Sequence, residues 1–192
     1  MRREDRGQRT EDRNRRMGFS PRCSDPPANG PHGLKPILPA SDSQPKGMVD
    51  IAAKEVTVRT AKAAGSVLLG AGAFDALQRG ECPKGDVLAT AKVAAIQAVK
   101  STPAMIPMCH LILIEAVEVE FSLDEAGKSV GVTVAVKSMG KTGVEMEALS
   151  GVAGACLTIY DMLKYTGKGM IIERIRLLEK SGGRRGDYRR AD

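Results

Sequence analysis

Two rhythms of apolar and polar positions run through the chain after residue 46. Val56 and Val58 alternate with Thr57 and Arg59, which predicts a strand in the segment Val49–Val58. Ala71–Arg79 suits a short helix. After Gly85, the segment Asp86–Lys100 places Val87, Leu88, Ala91, Ala94, Ala95, Ala98 and Val99 at helical spacing. Asp86 stands where an N-cap acceptor belongs, and Pro103 follows the far end. In Leu111–Leu123, Val117, Val119 and Phe121 alternate with Glu118, Glu120 and Ser122; in Ser129–Lys137, Val130, Val132, Val134 and Val136 share one face. The turn residues Asp124-Glu125-Ala126-Gly127 join them into a predicted hairpin. A long helix is expected from Thr142 or Gly143 to about Tyr165, buried through Val144, Leu149, Val152, Cys156, Leu157 and Leu163 and ending at Gly167. Met170–Lys180 reads as a last strand, and Ser181–Gly186 as a mobile basic loop.

The order is strand, helix, strand, strand, helix, strand, the split β-α-β pattern of ferredoxin-like folds. It predicts an α+β domain over residues 47–192, with an antiparallel sheet and two long helices on one face. The other sheet face needs a cover, which an oligomer would supply. Residues 1–46 lack this periodicity and are punctuated by Pro21, Pro26, Pro27, Pro31, Pro36, Pro39 and Pro45. Such a stretch cannot bury enough surface to offset its ordering entropy, so a disordered tail is expected.

Composition narrows the function. Aromatics are only 3% and there is no Trp, so the core must be Val, Ile, Leu, Met and Ala. Base stacking on single-stranded nucleic acid also lacks its platforms. Much of the net charge of +6 lies in the tail, so any polyanion bound by the folded part should be small and locally contacted. Cys23, Cys82, Cys109 and Cys156 are widely spaced and form no Cys-x-x-Cys pair, which suits free thiols rather than a zinc or disulfide framework. With no membrane-length apolar run and no signal-peptide core, a cytoplasmic location is expected.

Reactive side chains gather in four islands: Lys84-Gly85-Asp86, Met108-Cys109-His110, Gly140–Leu149 and Asp161-Met162-Leu163-Lys164. They bring amines, carboxylates and an imidazole, the groups that move protons, into largely apolar surroundings. The Gly140-Lys141-Thr142-Gly143 loop resembles a phosphate-binding turn. The full P-loop motif is absent, since Ala135 stands where its first glycine belongs. Glu145 and Glu147, two apart, project about 200° from each other on a helix. Asp161 and Lys164, three apart, are helix neighbours, an arrangement that is most often a surface ion pair. Glu147 and Asp161 share a helical face but lie about 21 Å apart along the axis. From one straight helix they cannot serve one small substrate. Either they have separate jobs, or a symmetric partner brings its own helix alongside.

Taken together, these residues resemble the MoaC family, the cyclic pyranopterin monophosphate synthases of molybdenum cofactor biosynthesis. The resemblance covers about residues 48–190. It rests on Met48-Val49-Asp50, Lys84-Gly85-Asp86-Val87, Ile106-Pro107-Met108-Cys109-His110, Gly140–Leu149, Leu157–Met162 with Lys164, and Arg176-Leu177-Leu178 through Ser181-Gly182-Gly183. It implies a ferredoxin-like subunit in a homohexamer, a trimer of dimers with active sites at dimer interfaces. The implied reaction converts 3′,8-cyclo-7,8-dihydroguanosine 5′-triphosphate, made from GTP by a radical-SAM enzyme, into cyclic pyranopterin monophosphate with release of pyrophosphate. No cofactor, protein-held metal, nucleic acid or membrane is expected. Asp161 matches the family's catalytic aspartate, and Lys84 and Lys164 its acid–base lysines. Met108, Cys109, His110, Met146 and Glu147 match substrate-contacting positions, and Glu145 belongs to the same run. Arg59, Lys141, Lys180 and Arg184 are expected to hold the triphosphate, from charge and position. Leu111 stands where the family usually has a proline, which would fix the backbone and remove an N–H donor.

The competing reading is a non-catalytic ferredoxin-like nucleotide-binding or sensor module. RNA recognition would need several sheet aromatics, and the central hairpin offers Phe121 alone. A sensor would not need Lys84, Asp161 and Lys164 together.

Overall fold

A computed structural model describes residues 47–191, and the expected disorder of residues 1–46 lies outside them. The central strand, β1 (Thr57–Leu68), turns Arg59, Ala61, Ala63, Gly65 and Val67 inward. Most of these side chains are small, so the strand carries little apolar contrast. That is why its pattern is legible only near Val56–Arg59 and why the expected Val49–Val58 is displaced: the strand begins at Thr57 and runs ten residues further.

Two antiparallel partners flank β1. On one side β3 (Ser129–Gly140) pairs from Thr57 opposite Gly140 to Leu68 opposite Ser129. On the other, β4 (Ile171–Ser181) pairs from Thr60 opposite Ser181 to Leu68 opposite Ile171, with two register shifts. The predicted hairpin is present: β2 (Ile114–Asp124) sets Val117, Val119 and Phe121 opposite Val136, Val134 and Val132. Its turn is closed by the Asp124 carboxylate, which accepts from Gly127 N–H at 3.0 Å. A short β5 (Tyr188–Arg189) pairs with β4, completing an antiparallel sheet of order β2-β3-β1-β4-β5. The first four strands have the ferredoxin-like arrangement, so the α+β expectation is met.

Among the described residues four helices accompany the sheet: α1 (Ala71–Arg79), α2 (Val87–Lys100), α3 (Thr102–Met105) and α4 (Glu145–Leu163). Asp86 caps α2 as expected, its carboxylate accepting from Ala89 N–H at 2.9 Å. α4 packs on β1, β3 and β4, while α2 lies beside α4 and reaches β2. Phe74, Val99, Val130, Val132, Val134, Val152, Ile159 and Leu163 are fully buried between these layers. The opposite sheet face carries Lys62, Ala64, Ser66, Glu120, Thr133 and Arg176, and no other element among the described residues covers it.

Some boundaries differ from the sequence reading. α4 starts at Glu145, because Lys141–Val144 form the bend that turns the chain back onto the sheet. It ends on Lys164 in right-handed conformation, so Gly167 is not its left-handed cap. β2 starts at Ile114, leaving Leu111 83% exposed. Pro103 follows the end of α2 at Lys100, as expected, and stands at the start of the short α3.

The two long helices approach closely because α4 presents glycines to α2. A Cβ on Gly151 would lie 2.8 Å from Val99 Cγ2 and 3.0 Å from Val134 Cγ1; one on Gly154 would lie 2.7 Å from Ala98 Cβ. Overpacking of this kind costs about 1–3 kcal/mol. Gly151→Val should therefore lower the unfolding free energy by that amount, read as a lower urea midpoint. Gly72→Ala, where a Cβ meets nothing within 4 Å, should instead stabilise α1 by about 0.5–1 kcal/mol. Equal midpoints for both variants and the parent would contradict the close helix contact.

Candidate active site

The α2–α4 packing brings the loop before α2 onto the last turn of α4. Buried Cys82 donates its thiol to the Met162 carbonyl at 3.2 Å, and Tyr165 Oη donates to the Glu81 carbonyl at 3.2 Å. Gly85, at φ 100°, closes the loop by donating its N–H to the Cys82 carbonyl. These ties place Lys84 over Asp161. Lys84 Nζ lies 2.6 Å from Asp161 Oδ2, and Lys164 Nζ lies 2.7 Å from Asp161 Oδ1. Each carboxylate oxygen therefore holds one amine, while about half of each side chain stays open to solvent. Hydrogen bonds from Lys164 and then Lys84 lower the Asp161 carboxyl to about 2. The same contact raises the Lys164 amine. An ionised carboxylate that keeps Lys164 protonated is arranged to deliver protons and to oppose negative charge. A base role for Lys164 requires the substrate to break its ion pair first.

The second group lies at the opposite end of α4. Glu147, in the first turn, is only 2% exposed, and no cation reaches it for a salt bridge among the described residues. Burial raises its carboxyl; a hydrogen bond from its own backbone N–H works the other way, and Glu145 adds to the rise. Cys109 is raised by burial and then by the charge of Glu147. Glu145 folds back over Gly143, where any Cβ would meet its carboxylate. Its charge thus occupies the positive end of the α4 dipole. His110 Nε2 lies 2.8 Å from the Val49 carbonyl, so the ring is held. With Nε2–H donating, Nδ1 is the free nitrogen. Met108 and Met146 are exposed.

The expected phosphate contacts divide. Lys141 donates to the Ala52 carbonyl at 2.7 Å. Arg59 is 8% exposed, 3.4 Å from the Gly140 carbonyl, and packed under Gly182 and Gly183. Both glycines are at φ 88°, and a Cβ on Gly183 would overlap the Arg59 guanidinium. Lys180 donates to the Gly186 carbonyl, and Arg184 is exposed in the turn beyond. The structure thus joins Lys84, Asp161 and Lys164 in one group at the last turn of α4, while Glu147 lies in its first turn. Spacing alone announced the Asp161–Lys164 pair. The Lys84 contact and the seat of Arg59 had no sequence signal, because each joins residues distant in the chain.

The Asp161 contacts make a test. Its carboxyl should titrate near 2 by carbon-detected NMR and return toward the ordinary 3.8 in Lys84→Met/Lys164→Met. Because the folded value is depressed, the stabilisation from the triad is whole above about pH 4 and fades as pH falls through about 2. A wild-type midpoint near 3.8 would mean that the triad does not form.

The sequence model of the MoaC family matches residues 48–183. Over 141 residues the chain is 49% identical to the cyclic pyranopterin monophosphate synthase of Methylobacterium sp. (strain 4-46), covering 73% of this chain and 88% of the relative. The proteins of the same name from Roseiflexus sp. (strain RS-1) and Natranaerobius thermophilus are 50% and 49% identical, and 89% and 92% of their lengths are covered. On that match, carried through both reactive groups, the chain belongs to the MoaC family.

Proposed function

We propose that the protein converts 3′,8-cyclo-7,8-dihydroguanosine 5′-triphosphate into cyclic pyranopterin monophosphate and pyrophosphate, an early step of molybdenum cofactor biosynthesis. The observation that carries this reading is the Asp161 carboxylate held between Lys84 and Lys164 in a chain about half identical to synthases of that name. Rebuilding the purine-derived ring requires several proton transfers and no net redox step, and such groups supply them. Closing the cyclic phosphate breaks the bond between the α-phosphorus and the bridging oxygen. A substrate hydroxyl oxygen takes its place, and the pyrophosphate leaves with the bridging oxygen. Cations must meet the departing charge.

In this reading Asp161, Lys84 and Lys164 carry the proton transfers. Met108, Cys109, His110, Glu145, Met146 and Glu147 contact the ring system, and Arg59, Lys141, Lys180 and Arg184 serve the phosphates. The two groups meet across a dimer interface, one from each chain, within a homohexamer built as a trimer of dimers. The length of α4 supports this, since about 21 Å between Glu147 and Asp161 is too far for one small substrate. The substrate comes from a radical-SAM GTP cyclase. Free thiols at Cys82, Cys109 and Cys156 suit a reducing cytoplasm. Among the described residues no helix is long and apolar enough to cross a membrane.

Purified protein mixed with the cyclised dihydro-GTP should release pyrophosphate and form an oxidisable pterin. Lys84→Ala and Asp161→Asn should each lower turnover by at least about a hundredfold, the scale of a lost acid–base group, with assembly unchanged by light scattering. No turnover by the wild type would end the enzyme reading, and loss of folding in both variants would make these residues structural.

A further inference from the structure

An open cleft of ≈ 620 Å³ lies between the first turns of α4, the outer strand β4 and the segment that follows it. Its charged lining is Arg176, Lys180, Arg185 and Arg190 against Glu145 and Asp187. Among the described residues, none of the four cations forms a salt bridge. One of the two carboxylates is already engaged, because Asp187 accepts from Gly182 N–H at 3.2 Å. The cleft therefore carries four cationic side chains against two carboxylates, a positive excess in a recess that also concentrates its field.

The segment bearing Arg185 and Arg190 is shaped by its backbone. Gly183 and Gly186, both at positive φ, bracket a turn in which Gly186 N–H donates to the Gly183 carbonyl at 3.1 Å. Arg184 and Arg185 occupy the turn's centre. Lys180 Nζ then reaches the Gly186 carbonyl, Tyr188 pairs with Lys180 and Arg189 with Glu179, and Arg190 N–H donates to the Leu178 carbonyl at 2.7 Å. Side chains alternate across a strand, so Tyr188 and Arg190 face the cleft and Arg189 faces away. The match to the family model ends at residue 183, so Arg185 and Arg190 lie beyond it.

The geometry points to this cleft as a condensed-phosphate site in which Arg185 and Arg190, carried on the strap Gly182–Arg190, clamp a pyrophosphate group from the side opposite Lys180 and Arg176. Arginine suits the task because its planar fork grips phosphate oxygens in pairs. Lys180 belongs to both the β4 wall and the strap's anchor, so anion binding and strap position are coupled. The identity of the anion rests on the proposed reaction: it is the part of the substrate triphosphate that leaves as pyrophosphate. The anion site itself stands on the charges and the cleft.

The test uses the full chain and two probes. Inorganic pyrophosphate, followed by isothermal titration, should bind the wild type and bind Arg185→Gln/Arg190→Gln at least about tenfold more weakly, the scale of a lost charge-assisted contact. Arg189→Gln should match the wild type, and Arg185→Lys/Arg190→Lys should keep part of the affinity. In turnover, the double glutamine variant should raise KM and weaken product inhibition by pyrophosphate. A change in KM without a change in pyrophosphate affinity would place the strap on another part of the substrate and overturn the proposal. Undiminished pyrophosphate binding in the double variant, with an unchanged melting temperature, would also overturn it. If the wild type binds pyrophosphate through these arginines yet turns nothing over, the reaction falls and the anion site stands.

Discussion

A straight helix cannot bring its own ends together, and the site of this protein is arranged around that constraint. α4 is nineteen residues long and carries reactive side chains in its first and last turns. Its rigidity comes from being clamped on two sides. The sheet lies beneath it at Gly65, and α2 lies beside it at Gly151 and Gly154, where a Cβ would collide with neighbouring atoms. The same packing that fixes α4 also delivers Lys84 to Asp161. The helix contact and the Lys84–Asp161 ion pair are one structural fact seen at two scales.

The two ends of α4 are opposite electrostatic environments. At the C-terminal end a solvated carboxylate is doubly paired, and its charge is strongly favoured. At the N-terminal end Glu147 is buried without a cation, and its charge is disfavoured. Carboxylates whose environments push their protonation apart can share acid and base work in one reaction. Such a division helps only if a single substrate reaches both, which is what the proposed pairing of two chains would arrange. Among the described residues no cation forms a salt bridge with the buried Glu147 carboxylate.

Much of the fold was legible because the apolar rhythm was strong where it counted. Val130, Val132, Val134 and Val136 announced β3, and Asp86 announced the start of α2. The pattern failed where side chains are small or elements short. Ala61, Ala63 and Gly65 hide the inward face of β1, and two residues of β5 cannot show a period. In the site, Asp161 and Lys164 were visible as helix neighbours because three residues is a local distance. Lys84 joins them across 77 residues, which is a property of the α2–α4 packing and not of any local pattern. The burial of Arg59 beneath Gly182 and Gly183 was equally invisible, since the glycines matter for what they lack.

The central claim, that one site draws on two chains, has a direct measurement. Asp161→Asn and Glu147→Gln disable opposite ends of α4 and should each be inactive alone. Unfolded together in equal amounts and refolded, they should recover about a quarter of wild-type pyrophosphate release, because random pairing leaves that share of sites with both groups intact. A mixture as inactive as its components, with mixed assemblies demonstrated by mass spectrometry, would contradict the shared site.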